Sequence, residues 1–425
     1  MCQQNTGLTL SSLFSQLTER INSVEFFADA RHPEFPSAFT RTNKLPLPKL
    51  IGALLSMRAS SQQVMLDSFY GSLSVDADWQ RGISDRGFAQ ARDKLSWQCL
   101  GHLNTFVVKT ADELGLIPRW HGLRLVAGDA SVLMPALRPC FTKRFHAKAD
   151  QRLFALYLPG AELTLHASVH GADGAERQML FEALSCLGPD DVLILDRGYP
   201  AAWLVAYLTE HNIRFCMRCE KSSGGWAAVR AFERSDQVDA MVTLNKPNKW
   251  DCEDYGCSGA APQVRLVKCI TPDGLIRVMA TNLPVSEFPA AVFGQLYHER
   301  WRIEKAFKRL KHRCKLESVS GLTQHALMVD VHAKVLADNL ASLVCIGASM
   351  VAGLKEKQRT CNRAYAAPCL QRLLPRLVLG LGCLTSLLDK AFALLGANSH
   401  RQVSERKQPR PKNHIKQHPS MAYKG

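Results

Sequence analysis

The chain has 425 residues and a formal net charge of +15, from 53 Lys and Arg against 38 Asp and Glu. Hydrophobic residues make up 46%, enough to bury a core, which excludes a globally disordered chain. The length suggests two or three domains of roughly 100–200 residues each, and the basic surplus favours a polyanionic partner, either nucleic acid or an acidic membrane surface. The most apolar stretches, Leu340–Leu354 and Leu377–Leu388, are shorter than the ~20 residues of a spanning helix and read as buried helices. The N-terminus, MCQQNTGLTL, has no basic start followed by an apolar run, so no secretory signal is expected. Nucleic acid is therefore the favoured partner, with no membrane.

Residues 1–118 read as a helical, DNA-binding region. Pro46–Met57 has helical apolar spacing, and Ser84–Trp97 reads as an amphipathic helix with a Ser-Asp start. Its basic residues Arg86, Arg92 and Lys94 suit phosphate contact, although a packing subdomain with a solvated face has the same pattern. Residues 119–220 change texture. An apolar run leads to Asp129, two strands flank a Pro-Gly turn within Arg152–Ala172, and Arg177–Leu187 is helical. Asp191–Pro200 is a buried-strand run, Ala201–Asn212 a helix and Arg214–Glu220 a strand. That order predicts a mixed α/β layer.

Residues 221–283 carry Gly, Ser, Asn and Pro clusters between short strands and read as a β-rich insertion. Residues 284–330 hold a charged helix, 331–398 a helical C-terminal region, and 399–425 a disordered basic tail. From Arg401 to Gly425 there are seven Lys or Arg and one acid. The 14 cysteines are expected as reduced thiols. Cys216, Cys219, Cys252 and Cys257 raise a four-thiolate zinc site, but the second pair is too widely spaced to favour it over a strand with small apolar positions.

Two apolar strands are predicted to end in an aspartate, LRLVAGD at Asp129 and DVLILD at Asp196. A carboxylate at the end of a buried strand is costly unless it binds a cation or hydrogen bonds, and ligands gather at such strand ends. Mg²⁺ prefers hard oxygen donors, and two such ions can serve both oxygens of a phosphoryl transfer. A helix-capping aspartate after each strand is the bland alternative. A third carboxylate comes from YHERWRIEKAFKRLKHR, Tyr297–Arg313. On a helix, Tyr297, Arg300, Glu304, Phe307 and Lys311 fall within an arc of about 80°. A carboxylate flanked by Arg and Lys suits a metal ligand beside bound phosphates; a surface helix with a Glu304–Lys308 ion pair has similar charge.

Tyr297, Arg300, Glu304 and Lys311 match Y-x2-R-x3-E-x6-K, and this resembles the signature of the IS4 family of bacterial insertion-sequence transposases. GDASVLMP (Gly128–Pro135) and DRGYP (Asp196–Pro200) resemble that family's two aspartate motifs, in the same order. The resemblance implies an RNase H-like catalytic core interrupted by an insertion, and a DDE transposase that excises and inserts an element by metal-dependent DNA cleavage and strand transfer, through a hairpin in cut-and-paste members. It implies Asp129, Asp196 and Glu304 as catalytic and metal-binding residues, with two Mg²⁺ per active site, replaceable by Mn²⁺. Tyr297, Arg300 and Lys311 would hold DNA phosphates, with Arg197 and Lys308 as further DNA contacts. Relatives stack a flipped base on a Trp of the insertion, which makes Trp226 and Trp250 the candidates. The implied partners are terminal inverted repeats and target DNA, bound by a homodimer or larger synaptic assembly in the bacterial cytoplasm at the nucleoid. Two rival readings stay open at this point: an RNase H-fold nuclease or resolvase, and a transposase-derived DNA-binding protein without catalysis.

Overall fold

In the computed structural model the described residues are 2–40, 45–56, 61–74, 78–135, 150–222, 224–271 and 274–402. The chain begins with helices α1 (Cys2–Ile21), α2 (Val24–Asp29), α3 (Leu47–Ser56), α4 (Gln62–Leu73), α5 (Asp85–Arg92) and α6 (Gln98–Glu113). An α/β run follows: β1 (Arg124–Leu133), β2 (Gln151–Leu158), β3 (Leu163–Gly171), α7 (Glu176–Ala183), β4 (Asp191–Leu195), α8 (Ala202–Glu210) and β5 (Arg214–Arg218). Next come α9 (Ala227–Arg234), β6 (Asp239–Thr243), α10 (Lys249–Tyr255), β7 (Gln263–Ile270), β8 (Ile276–Thr281), α11 (Phe293–Glu299) and α12 (Trp301–His312). The remainder is α13 (Gln324–Val351), β9 (Arg359–Thr360), α14 (Arg363–Val378), α15 (Leu384–Ala397) and β10 (His400–Arg401).

The chain divides into two compact units. One draws on Ile117–Ser131 and Arg152–Phe307, the other on Met1–Leu116, Val132–Gln151 and Lys308–Gly425. The α/β unit is built on a sheet in the order β3-β2-β1-β4-β5-β8-β7-β6. Strands β1, β4 and β5 run parallel to one another, and β5, β8, β7 and β6 pair antiparallel. The strands and their covering helices make the mixed α/β layer expected from the sequence. All five residues of β4 are buried, as a central parallel strand covered on both faces requires. One face packs Leu125, Val192, Ile194, Cys216, Val267 and Met279 against Phe293, Leu296 and Tyr297 of α11.

The start of the sheet is pinned by charge. Arg124 and Asp191 are partners across β1 and β4. Arg124 donates from Nε to Asp191 Oδ1 at 2.6 Å and from Nη2 to Oδ2 at 2.8 Å, and Oδ2 also accepts from the Gly188 amide at 2.7 Å. A bidentate pair of this kind tolerates little slippage. In the other unit, α13 packs against α1, α3, α6, α14 and α15 and buries Asp330, Lys334, Asp338 and Asn339. Each has a partner: Ser320 for Asp330, backbone carbonyls of residues 315 and 318 for Lys334, Arg309 for Asp338, and Asn104 for Asn339.

Several expectations need correction. β1 does not end at Asp129 but continues to Leu133. Residues 221–283 contain α9 and α10 as well as strands, and β6–β8 extend the main sheet because β8 pairs with β5. The Ser84 cap forms, accepting from the Gly87 amide, but α5 stops at Arg92. The apolar run around residue 340 belongs to a 28-residue helix, long and apolar enough by composition to cross a membrane; 78% of its apolar window is buried inside the protein. His400–Arg401, expected in a disordered tail, pair with Arg359–Thr360. The tail beyond residue 402 lies outside the described residues.

Candidate active site

Register sets the site. Arg124 to Ala127 pair with Asp191 to Ile194, each partner 67 residues on. Asp196 follows Asp129 by the same 67 residues. Continuing that register two residues past Ala127 and Ile194 brings Asp129 of β1 level with Asp196, the first residue after β4. Because side chains alternate along a strand, they share the parity of Leu125, Val192 and Ile194, which face α11. Neighbouring strands lie ~4.8 Å apart, so two carboxylates there repel unless positive charge lies close by. Gly128 permits this packing: a Cβ there would lie 3.0 Å from Leu195 Cδ2.

The third carboxylate arrives on α12. The predicted single helix is interrupted at Arg300, which joins α11 to α12 with helical dihedrals of −54° and −37°. Its guanidinium is only 4% exposed. Nη1 donates to Asp129 Oδ2 at 3.3 Å and Nη2 to Glu304 Oε1 at 3.2 Å. The group lies 5.8 Å from the Tyr297 ring centre and 5.3 Å from that of Trp301. Arg300 is thus the cation shared by the first aspartate and the glutamate.

Burial pushes the Asp129 carboxyl up to about 6. Arg300 and the Ala130 amide oppose the rise, while Asp196 and Glu176 add to it. Asp196 accepts the Gly198 amide on Oδ1 at 2.7 Å. Glu176, the first residue of α7, was not singled out from sequence. Burial and then Asp196 raise its carboxyl above the usual range, against Arg152, whose Nη1 is 3.6 Å away. Tyr199, inside DRGYP, is fully buried, and its hydroxyl has no hydrogen-bond partner among the described residues. Burial raises its phenol, and Asp129, Glu176 and Asp196 raise it further. An acid opening a helix is too common a feature to mark Glu176 from sequence.

The other predicted residues are placed unevenly. Tyr297 is 2% exposed and packs in the core, so its ring lies against Arg300 and not at the surface. Arg197 is largely exposed and pairs with Glu220 at 3.4 Å. Lys308 is exposed and Phe307 buried. In its own unit, Lys311 donates to the Val132 carbonyl. Trp226 caps α9 without a side-chain bond, and Trp250 on α10 is 75% exposed; neither is joined to the carboxylates by a contact described here. Cys216 and Cys219 are buried on and just after β5, where burial holds both thiols well above their usual range, which disfavours the thiolates that zinc requires.

The donors suit a hard divalent cation. Among the described residues, no three His, Cys, Asp or Glu side chains converge tightly enough to enclose an ion. Mg²⁺ needs only one or two carboxylates when water and substrate phosphate complete its shell. The Arg300 guanidinium already supplies positive charge between Asp129 and Glu304.

Asp129 on β1, Asp196 just after β4 and Glu304 on α12 make up an acidic site, and similarity to known proteins points to a DDE transposase, an enzyme class that generally uses divalent metal ions. The family model described as "Transposase DDE domain" matches residues 141–340, a span that includes Asp196 and Glu304 and starts after Asp129. "Transposase InsG for insertion sequence element IS4" of Escherichia coli (strain K12) is 21% identical over 325 residues, covering 72% of each chain. Among solved structures, the piggyBac transposase synaptic complex with hairpin DNA aligns with a TM-score of 0.41 and 12% identity, over 94% of this chain and 86% of that one. The chain is thus similar over most of its length to a transposase of the insertion sequence IS4.

Proposed function

We propose that this transposase cleaves the ends of its own element and joins them to target DNA, with divalent cations, Mg²⁺ by preference, held by Asp129, Asp196 and Glu304. The observation that carries the reading is the level placement of Asp129 and Asp196, with Glu304 tied to Asp129 through Arg300. When bound, such cations activate the attacking oxygen and stabilise the leaving one. Asp129 and Asp196 fix the position of the reacting phosphate from the sheet, and Glu304 closes the site from α12. Arg300 neutralises Asp129 and Glu304 before DNA arrives and turns toward a phosphate of the end being processed. Tyr297, being buried, holds the Arg300 guanidinium and does not meet DNA itself. Arg197, Lys308 and Lys311 contribute phosphate contacts, and Trp226 or Trp250 stacks an unpaired base. Two ions, a hairpin step, terminal-repeat recognition and assembly of at least two protomers complete the proposal.

The test is incubation of the protein with the DNA flanking its gene in Mg²⁺, followed by separation of nicked, hairpin and joined products. Asp196→Asn and Glu304→Gln are expected to lose nicking and joining by 10²-fold or more while still binding the end DNA. Nicking by Glu304→Gln at the wild-type rate would overturn the assignment. Nicks without joined products from the wild type would favour a nuclease.

A further inference from the structure

Glu176 lies beside the second aspartate motif. It opens α7, and the neighbouring Arg177 binds that helix to the motif. Arg177 Nε donates to the Tyr199 carbonyl at 3.1 Å and Nη2 to the Pro200 carbonyl at 3.2 Å. The same loop turns tightly at Gly198, where a Cβ would lie 3.1 Å from Asp196 Oδ1 and 3.7 Å from Glu176 Oε2. The two carboxylates therefore border the same small volume. Among the described residues Glu176 pairs with Arg152, at 3.6 Å with both side chains about one-third exposed, a contact too weak to fix it in place.

A second feature lies in the same loop, three residues after Asp196. The Tyr199 side chain is fully buried, and its hydroxyl has no hydrogen-bond partner among the described residues. The charged groups acting on it are Asp129, Glu176, Asp196 and, with opposite sign, Arg300. An unpaired buried hydroxyl costs about 1–3 kcal/mol, so such groups persist where they have a ligand or water to bond. Two carboxylates bordering one small volume, with water completing the shell, suit a hydrated divalent cation.

We propose that Glu176 is a fourth carboxylate of the metal centre, sharing a divalent cation with Asp196, and that the Tyr199 hydroxyl is a positioning group that bonds a water in that cation's hydration shell. This rests on the reading of Asp129 and Asp196 as metal ligands given above. Glu304 and Glu176 then serve the aspartate pair from two different helices, α12 and α7.

The experiment is Mn²⁺ binding to the full chain without DNA, followed by the loss of the free-ion electron paramagnetic resonance signal. Wild type, Asp196→Asn, Glu176→Gln and Tyr199→Phe are compared, with circular dichroism as the folding check. Glu176→Gln is expected to weaken Mn²⁺ by roughly 10- to 100-fold and Tyr199→Phe by up to roughly tenfold. If Asp196→Asn abolishes binding while Glu176→Gln binds as wild type, the fourth ligand is refuted and the catalytic reading stands. If Asp196→Asn binds as wild type, the catalytic reading itself falls. A measurement free of variants is backbone cleavage by hydroxyl radicals generated from bound Fe²⁺. Cuts near both residues 176 and 196 support the proposal, and cuts near 196 without any near 176 overturn it.

Discussion

Arg300 reaches Asp129 with one terminal nitrogen and Glu304 with the other, at 3.3 and 3.2 Å, from a position 4% exposed to solvent. A buried guanidinium between two carboxylates leaves an uncompensated charge if either side is removed. Breaking such an arrangement costs about 3–5 kcal/mol, less here because Glu304 is one-third exposed. Arg300→Ala should therefore lower the unfolding free energy by roughly 2–4 kcal/mol in EDTA. Saturating Mn²⁺ should recover part of that loss, since the ion supplies the missing charge. Urea titrations with and without metal check this; an equal deficit in both would mean that Arg300 and the ion do not share the Asp129 charge.

Asp129 gives a pH dependence with a definite sign. Its folded carboxyl sits near 6 against an ordinary value near 3.8. Above about pH 6 the folded protein holds a charged, desolvated group, and the full penalty applies. As pH falls from about 6 to about 4 the folded state takes up a proton before the unfolded state, so this group's contribution becomes more stabilising. The swing is at most about 3 kcal/mol. In metal-free protein, Asp129→Asn should remove this swing. Parallel pH-dependent slopes for the two proteins would refute a buried carboxyl raised to about 6.

The Arg124–Asp191 pair makes a prediction about specificity of register. Asp191→Ala leaves a largely buried guanidinium and should cost about 3–5 kcal/mol. A double change to apolar residues, Arg124→Met with Asp191→Leu, should cost much less in stability. If the pair's role is to level Asp129 with Asp196, the double variant should still lose Mn²⁺ affinity. Stability and metal binding measured on the same samples separate the two effects.

Asp338 receives two bonds from Arg309 Nε, at 2.7 and 3.0 Å, and one from Nη2 at 2.8 Å. Both side chains are at least nine-tenths buried. Asp338→Ala should lower stability by about 3–5 kcal/mol, read as a fall in the denaturation midpoint. Asp338→Asn should fall between, since it keeps part of the hydrogen bonding.

The sequence displayed the core well because its strands are unbroken apolar runs and its helices are periodic. DVLIL reads as a buried strand and is one. The Tyr297–Lys311 spacing placed Arg300 and Glu304 on a common face, and the structure joins them. What stayed hidden depends on contacts distant in the chain. Nothing local says that β8 returns to β5, that Tyr297 enters the core or that β1 runs on past Asp129. Glu176 was invisible for the same reason: its neighbourhood is created by the DRGYP loop, twenty residues later. The register was legible in hindsight, since the spacing between the two aspartates equals the spacing between Arg124 and Asp191.

The return of β8 to β5 also bears on how the molecule opens. Strands β6 to β8 are hydrogen bonded into the same ladder as β4 and β5, so the excursion between Asp196 and Glu304 is no hinged appendage. Its amides and those of the core should exchange with solvent as one cooperative foldon. Bending this segment to fit DNA would then strain the strand beside β4, the strand that leads into Asp196, and a grip on DNA there becomes mechanically coupled to the chemistry.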